Sequence, residues 1–292
     1  MKFSLRQLSI FCAIAEQGNV TQAAAKLFLS QSAVSMALAE LENQLNKSLF
    51  TRKAKKLLLT DAGELALSKA QNLLRQAEEF EDTLKTKAGV LSGKLKIGAS
   101  TTIGNYLLPA LIANFMQRYP KVNIELEINN SHYIINQLQK MNLDVGFIEG
   151  KCDANDLEQN IWQQDELILV TGGKHPFAKK KRLSIKDLQT ANWVLREKGS
   201  GTRSIFEATM AKALSPLDVK LTLPSTEAIK QVLLSGNYVS CLSSHVVQQE
   251  LQNKSLVRLK VGKLICQRDL LLLTHRDKYH SLLLNKFLEF VS

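Results

Sequence analysis

Residues 19–46, NVTQAAAKLFLSQSAVSMALAELENQLN, decide how the N-terminal part of this chain folds. They form two runs in which apolar residues recur at helical spacing. Asn19 or Thr21 can cap the first run and Ser30 the second, so we predict two helices joined by a tight turn. The inner face of the second helix carries Val34, Leu38, Leu41 and Leu45.

The outward face of the second helix suits DNA recognition. Short polar side chains lie near its N-terminal end, where they can reach base edges and phosphates in a major groove. From these residues alone, a plain helical hairpin of an all-α domain is the competing interpretation. The predicted DNA contacts in this region are Thr21, Gln31, Ser32 and Ser35.

A basic segment follows the helical pair and favours DNA over that alternative. The segment 50–59, FTRKAKKLLL, predicts a two-stranded ribbon, or wing, whose cations contact the phosphate backbone instead of forming only a solvated face. These cations are Arg52, Lys53, Lys55 and Lys56. Residues 1–60 hold eight Lys or Arg and three Glu, so +5 of the formal net charge of +11 lies there. Such a balance suits a polyanion: nucleic acid first, an anionic membrane second.

The next segment predicts a long helix that dimerises. Thr60 can cap it, and it extends to about residue 87. Apolar residues along it are spaced alternately by four and three, as in a coiled coil. A helix lying on its own domain would follow a 3.6-residue period instead. The predicted dimer contacts are Ala66, Ala70, Leu73, Ala77, Phe80 and Leu84.

Beyond a hinge at residues 89–93, strand and helix patterns alternate, which indicates an α/β domain. The predicted domains are 1–59, a linker helix 60–89, and a two-lobed domain 90–292. Lobe I is expected at about 93–163 and 268–292, and lobe II at about 164–267. Apolar runs at 167–170 and 270–273 predict short strands.

Three predicted helix starts in this domain combine hydroxyl side chains with free backbone N–H groups, which favours an anion site. They follow strands, and ligands of open α/β sheets lie beyond the carboxyl ends of strands. One hydroxyl cap alone is routine structure, but three across two lobes favour a small anion. Arg203 or Arg196 could supply charge, while Glu149 could hydrogen-bond a protonated anion or hold a loop. The predicted effector residues are Ser100, Thr101, Thr102, Glu149, Gly201, Thr202, Arg203, Ser225 and Thr226.

Several motifs, in order and spacing, resemble the LysR-type transcriptional regulators over the whole chain. They include Ala24-Ala25-x-Leu27 with Leu29-Ser30-Gln31-Ser32-Ala33-Val34-Ser35, then Leu49-Phe50-x-Arg52 and Leu59-Thr60-x-Ala62-Gly63. Ser32 stands where the family often has Pro, and Met36 and Ala37 stand where many members carry Arg or Gln. These departures suggest that DNA shape contributes more to recognition.

The resemblance implies a fold class and a set of partners. The fold is α/β overall: an N-terminal all-α winged helix-turn-helix, a long linker helix, and a C-terminal two-lobed domain like the type II periplasmic binding proteins. The partners are double-stranded DNA, a second copy in a homodimer and commonly a homotetramer, and a small anion. The stretches ASTTIGNYLLPALI, DVGFIEG, REKGSGTR and STEAIK resemble the YeiE and CysB types within the family. We therefore expect a sulfur oxyanion such as sulfite or sulfate, with a small carboxylate as the alternative.

Other classes of protein lack support in the sequence. No P-loop and no G-x-S-x-G motif occurs, and the histidines and four scattered cysteines lack metal-ligand spacing. An enzyme on a binding-protein fold is the contrasting hypothesis. A solute-binding protein would need an export signal, and we find none. We expect reduced thiols, no cofactor, no metal, no membrane contact and a cytoplasmic location.

Overall fold

The structure is a computed structural model that describes residues 2–53, 56–85, 90–210, 217–262 and 266–292. Its contacts divide into two compact units. The first comprises Met1–Gly93 with Lys278–Leu282, and the second comprises Lys94–Asp277 with Leu283–Ser292.

The first unit is a small helical domain with a two-stranded ribbon. Its elements in chain order are α1 (Leu5–Gln17), α2 (Val20–Lys26), α3 (Gln31–Leu45), β1 (Phe50–Lys53), β2 (Lys56–Leu59) and α4 (Asp61–Lys85). Side chains of Ser4, Asn19 and Ser30 cap the first three helices. They accept hydrogen bonds from backbone N–H groups of the first turn, which have no acceptor within the helix. Gly18, with φ of 61°, ends α1 in the left-handed conformation that glycine adopts without strain.

The core of this unit lies between α1, α2 and α3. Phe11, Ile14, Val34 and Leu41 are fully buried in it. The two helices predicted from residues 19–46 are therefore confirmed, with Asn19 rather than Thr21 as the first cap.

The predicted wing is confirmed as an antiparallel pair in which Phe50 lies opposite Leu59 and Lys53 opposite Lys56. The Glu42 carboxylate of α3 accepts hydrogen bonds from the backbone N–H groups of Leu49, at 2.6 Å, and Phe50, at 3.2 Å. This contact joins the start of the wing directly to α3.

The linker helix α4 begins after Thr60, whose hydroxyl accepts from the Gly63 N–H at 3.0 Å. It is described as far as Lys85, so the predicted end near residue 87 lies outside the described residues. Ala70 is buried in the core of its own unit and Ala66 packs against that core. Ala70 is therefore not on a surface open to a partner, which corrects the prediction for that residue.

The second unit is a sheet covered by helices. Its strands are β3 (Ser92–Ser100), β4 (Lys121–Asn129), β5 (Val145–Glu149), β6 (Leu157–Gly172), β7 (Trp193–Arg196), β8 (Val219–Leu223), β9 (Val239–Ser243), β10 (Leu256–Arg258) and β11 (Cys266–His275). Its helices are α5 (Leu108–Arg118), α6 (Ser131–Gln139), α7 (Ile185–Gln189), α8 (Gly201–Met210), α9 (Thr226–Ser235), α10 (Gln248–Gln252) and α11 (Leu282–Val291). A π-helix (Ile103–Leu107) precedes α5, and a 3₁₀-helix (Pro176–Lys179) precedes α7.

The strands follow the order β4-β3-β5-β11-β6-β9-β7-β8, with β10 paired to β6. We call β3–β5 with α5, α6 and α11 the first lobe, and β7–β9 with α7–α9 the second lobe. The two long strands β6 and β11 pair with each other and connect the lobes through one continuous sheet.

The two connecting strands are longer than the sequence predicts. Apolar runs predicted strands only at 167–170 and 270–273, whereas β6 and β11 span 16 and 10 residues. Pairing between them satisfies their backbone groups, so polar residues such as those of 158–160 are accommodated in the strand.

Each lobe has its own apolar core. Trp193 and Phe206 are in contact in the second lobe, with ring centroids 5.0 Å apart. In the first lobe, Phe287 of α11 packs against Phe115 and Phe147, so the C-terminal helix returns to this lobe as expected. All four cysteines are free thiols. No helix among the described residues is long and apolar enough to cross a membrane.

Candidate functional sites

The outward face of α3 presents the polar residues that the sequence singles out. Gln31, Ser32 and Ser35 are exposed, as is Thr21 at the start of α2. Ser32 lies 3.1 Å from the capping hydroxyl of Ser30, measured between oxygens. The exposed residues 31–39 carry no charge, so any charge contact must come from elsewhere in this unit.

The wing supplies such charge. Arg52 and Lys53 are exposed on β1. Lys55 lies outside the described residues, as does the side chain of Lys56. An uncharged helix face beside a cationic ribbon separates the two tasks of a DNA-binding domain, base contact and phosphate contact.

In the second unit, three of the predicted residues meet around a buried ion pair. Arg268 of β11 lies opposite Asp165 of β6 in the strand register, and their side chains are fully buried with N–O distances of 2.6 and 2.7 Å. The Arg268 guanidinium also donates to Thr202 Oγ1 at 2.8 Å and to Thr102 Oγ1 at 3.4 Å. Glu149 lies 3.9 Å from it.

Glu149 ends β5 and holds the starts of two helices. It accepts a hydrogen bond from the Thr102 N–H at 3.2 Å and one from the Ser131 hydroxyl at 3.2 Å. Gly201 must approach closely here, because a Cβ on it would meet the Glu149 carbonyl oxygen at 2.2 Å. The start of α8 therefore packs directly on the carboxyl end of β5.

A second arginine joins the remaining predicted threonines. Arg196, at the end of β7, is 4% exposed and pairs with Glu197 at 2.9 Å. Its guanidinium donates to Thr101 Oγ1 of the first lobe at 3.1 Å and to Thr226 Oγ1 of the second lobe at 3.3 Å. The lobes are thus bridged by hydroxyl–guanidinium hydrogen bonds.

A third bridge lies beside α9. The Tyr106 hydroxyl of the π-helix donates a short hydrogen bond to Glu227, which also pairs with Lys230 at 2.9 Å. Burial, helped by this bond to Glu227, raises the pKa of Tyr106 to about 12. Burial alone would raise the pKa of Glu227, but hydrogen bonds from Tyr106 and Lys230 lower it below its ordinary value. Glu227 therefore stays ionised and accepts the bond at neutral pH.

Two predicted residues have other tasks. Arg203 turns away from this cluster: it pairs with Glu207 at 2.7 Å and donates to the Arg196 carbonyl at 2.9 Å. Arg203 therefore holds the backbone of Arg196 and does not contribute its own positive charge to the cluster. Ser225 accepts from the Ala228 N–H at 3.2 Å and caps α9.

Ser100 is completely buried, and its hydroxyl has no hydrogen-bond partner among the described residues.

Sequence reasoning missed Arg268, Asp165 and Ser131. Arg268 and Asp165 lie just before the apolar runs that predict short strands, and only the register of β6 with β11 places them opposite each other. A charged residue next to a buried strand was the available signal. Of the two arginines that the sequence offers, Arg196 lies in the cluster and Arg203 does not.

Comparison with known protein families identifies both units. Residues 5–64 match the bacterial regulatory helix-turn-helix proteins of the lysR family, and residues 88–292 match the LysR substrate binding domain. The chain belongs to the LysR family. The described elements that carry these matches are α1–α4 with the wing, and the two-lobed sheet.

Individual LysR family proteins resemble this chain over its length. The HTH-type transcriptional regulator YeiE of Escherichia coli is 38% identical over 290 residues, covering 99% of this chain and 97% of that protein. A full-length OxyR variant from Pseudomonas aeruginosa has the same fold, with a TM-score of 0.76, 22% identity, and coverage of 100% and 94%. The Synechocystis CcmR regulatory domain in complex with 2-PG gives a TM-score of 0.63 at 28% identity over 68% of this chain and 96% of that one.

As a LysR family member, this protein is a DNA-binding transcriptional regulator with an effector-binding domain, and it is not an enzyme. Within the described residues, no group of three or more potential metal ligands comes together.

Proposed function

We propose that this regulator senses a small sulfur oxyanion, sulfite or sulfate, between the two lobes of its effector domain. The observation that carries the proposal is the set of hydroxyls of Thr101, Thr102, Thr202 and Thr226, each of which accepts a hydrogen bond from a buried arginine. Three of these threonines are buried, and Thr101 is half-buried. A hydroxyl that accepts from a guanidinium keeps its own proton free to donate. The Thr101 hydroxyl already donates to the Asn129 carbonyl at 3.5 Å. The hydroxyls of Thr102, Thr202 and Thr226, with Ser100, can therefore offer O–H donors to a compact oxyanion.

The charges of the site favour such a ligand over a highly charged one. Arg196 and Arg268 are offset by Glu197, Asp165 and Glu149, which leaves two cations against three carboxylates. A ligand held here depends on hydrogen bonds and on the positive ends of α8 and α9 more than on net charge. The Glu149 carboxylate can accept a hydrogen bond from an anion that carries a proton, such as hydrogensulfite.

A small carboxylate is the alternative ligand, and 2-PG is a candidate because a related regulatory domain has been solved with it. The 38% identity to YeiE supports the resemblance to the YeiE type within the family, on which the expectation of a sulfur oxyanion rests.

Calorimetric titration of the full-length protein tests the proposal with sulfite, sulfate, acetate and 2-PG as separate titrants. We expect saturable binding of sulfite or sulfate, its loss in Thr102→Ala and Thr202→Ala, and its retention in Thr202→Ser, which keeps the hydroxyl. Thr190→Ala, an exposed change at the end of α7, is the matched control. DNA affinity without ligand should be the same in all four variants.

Two results would overturn the proposal. Absence of binding by both oxyanions at millimolar concentration would exclude them as effectors. Binding of only acetate or 2-PG, abolished by the same threonine variants, would keep the site and replace the ligand class.

A further inference from the structure

The positive charge of this chain is concentrated in two places. Residues 1–60 carry +5, as counted above. Residues 174–187 contain six cations (Lys174, Lys179, Lys180, Lys181, Arg182 and Lys186) and one carboxylate, Asp187, which is another +5 within fourteen residues. Since the whole chain carries +11, the other 218 residues together contribute only +1. The second concentration lies in the effector domain, far along the chain from the wing.

The fold gathers these cations on one part of the second lobe. Leu183 is 3% exposed, donates its N–H to the Lys260 carbonyl at 2.8 Å, and forms a β-bridge with Val261. These contacts fix the backbone at Leu183, which follows Arg182 in the chain, and bring Lys260 close to it. The Ser184–Asp187 capping box then starts α7 and fixes the place of Lys186. We call Lys174, Lys179, Lys180, Lys181, Arg182, Lys186 and Lys260, all of them exposed, the basic surface.

Most of these cations have no carboxylate to balance them. Lys180 pairs with Asp187 at 2.7 Å and lies over the Phe177 ring at 5.3 Å. Among the described residues, the other members of the basic surface make no ion pair. Adjacent like charges repel one another. A polyanion that binds to the surface relieves this repulsion, so the repulsion favours polyanion binding.

The surroundings favour phosphates over a protein partner. Leu183 is buried, and Phe177 and Ile185 are half-buried against the core of the second lobe. Among its described residues, the basic surface therefore lacks the large exposed aromatic or aliphatic anchors at the centre of protein interfaces. Flexible lysines without such anchors suit a phosphate backbone, where binding rests on charge and counterion release.

We propose that the basic surface is a second DNA-binding surface, which contacts phosphates without sequence preference and supplements the winged helix-turn-helix. The partner it fits is double-stranded DNA, which this regulator already binds through its N-terminal domain. The surface adds to the salt dependence of binding and leaves the choice of operator to α3. This inference does not depend on the identity of the effector.

The test compares two triple variants of the full-length protein. Lys179→Gln/Lys181→Gln/Arg182→Gln removes three cations of the basic surface that make no described ion pair. Lys121→Gln/Lys140→Gln/Lys151→Gln removes three exposed cations elsewhere in the same domain, which likewise make no ion pair with the residues that the structure describes. Affinity for a long duplex of random sequence is measured across a salt series, and acetylation of each lysine is measured by mass spectrometry with and without that DNA.

We expect the basic-surface variant to lower the slope of log affinity against log salt by up to about 2.7 per protomer, about 0.9 for each lost phosphate contact. The control variant should keep the wild-type slope. In the wild type, DNA should protect Lys179 and Lys181 from acetylation but not Lys121 and Lys140. Equal slopes in all three proteins, or unprotected Lys179 and Lys181, would overturn the proposal. So would an equal loss of slope in the control, which would indicate a general charge effect.

Discussion

At the scale of single residues, we expect the DNA-binding unit to separate sequence specificity from overall affinity. Gln31 lies exposed on an uncharged helix face, whereas Arg52 lies on the cationic wing. Base edges are distinguished by hydrogen bonds such as those an amide can make with adenine, while phosphates are alike in every sequence. Removal of each side chain should therefore change DNA binding in a different way.

We expect Arg52→Ala to weaken binding to all duplexes alike and to reduce the salt slope by about 0.9 per protomer. Gln31→Ala should instead reduce discrimination between operator and random DNA by about 1–3 kcal/mol and leave the salt slope unchanged. Each variant is the control for the other. Fluorescence anisotropy on both duplexes across a salt series measures the two effects, and a uniform loss in Gln31→Ala would contradict a base-reading role.

At the scale of elements, short helices depend on their caps. The Asn19 side chain accepts from the N–H groups of Thr21 at 2.7 Å and Gln22 at 3.3 Å, and α2 has only seven residues. A helix this short gains little from its own hydrogen bonds.

Asn19→Ala is expected to destabilise α2 by about 1 kcal/mol, the usual cost of losing such a cap. Hydrogen exchange of the amides of residues 20–26 measures this locally, and they should exchange about five-fold faster. Thr21→Ala, which removes an exposed side chain but no cap, should leave these rates unchanged. Protection unaffected by Asn19→Ala would show that tertiary packing alone holds α2.

The linker helix carries an exposed apolar strip. Phe80 and Leu84 are 66% and 71% exposed, and Leu73 is 42% exposed. We infer that they pack in a homodimer. Phe80→Glu should shift the protein toward monomers in sedimentation equilibrium, since it places a charge in an apolar contact. Leu65→Glu, equally exposed at 66% but outside the heptad positions, should keep the dimer. Dissociation by both variants alike would locate the interface elsewhere on α4.

At the scale of the whole molecule, the effector domain depends on one buried ion pair that joins its two connecting strands. Arg268 and Asp165 are fully buried and hold Thr102 and Thr202 between the lobes. An isolated buried charge is far more costly than a buried pair.

Arg268→Met should destabilise the effector domain by about 3–5 kcal/mol, because it leaves the Asp165 carboxylate buried without its partner. The double variant Arg268→Met/Asp165→Leu should recover most of this loss in urea-induced unfolding. A single variant as stable as the wild type would mean that Asp165 is neutralised in some other way.

The sequence by itself determined much of this protein. Helical periodicity and caps located α2, α3 and the start of α4, since local spacing and N-cap chemistry depend only on near neighbours along the chain. Alternating patterns also indicated the α/β domain and the helix starts that carry Thr102, Thr202 and Thr226. The wing followed from a basic run beside that helical pair.

Only the tertiary structure decided which side chains meet. The register of β6 with β11 sets Arg268 against Asp165, and the start of α8 brings Gly201 onto Glu149, across separations that no local pattern encodes. It likewise turned Arg203 away and placed Arg196 between Thr101 and Thr226. The segment 19–46 could specify its own helices because its information is local. The site between the lobes could not be specified in this way, because it is built from the ends of strands that are adjacent only in the folded sheet.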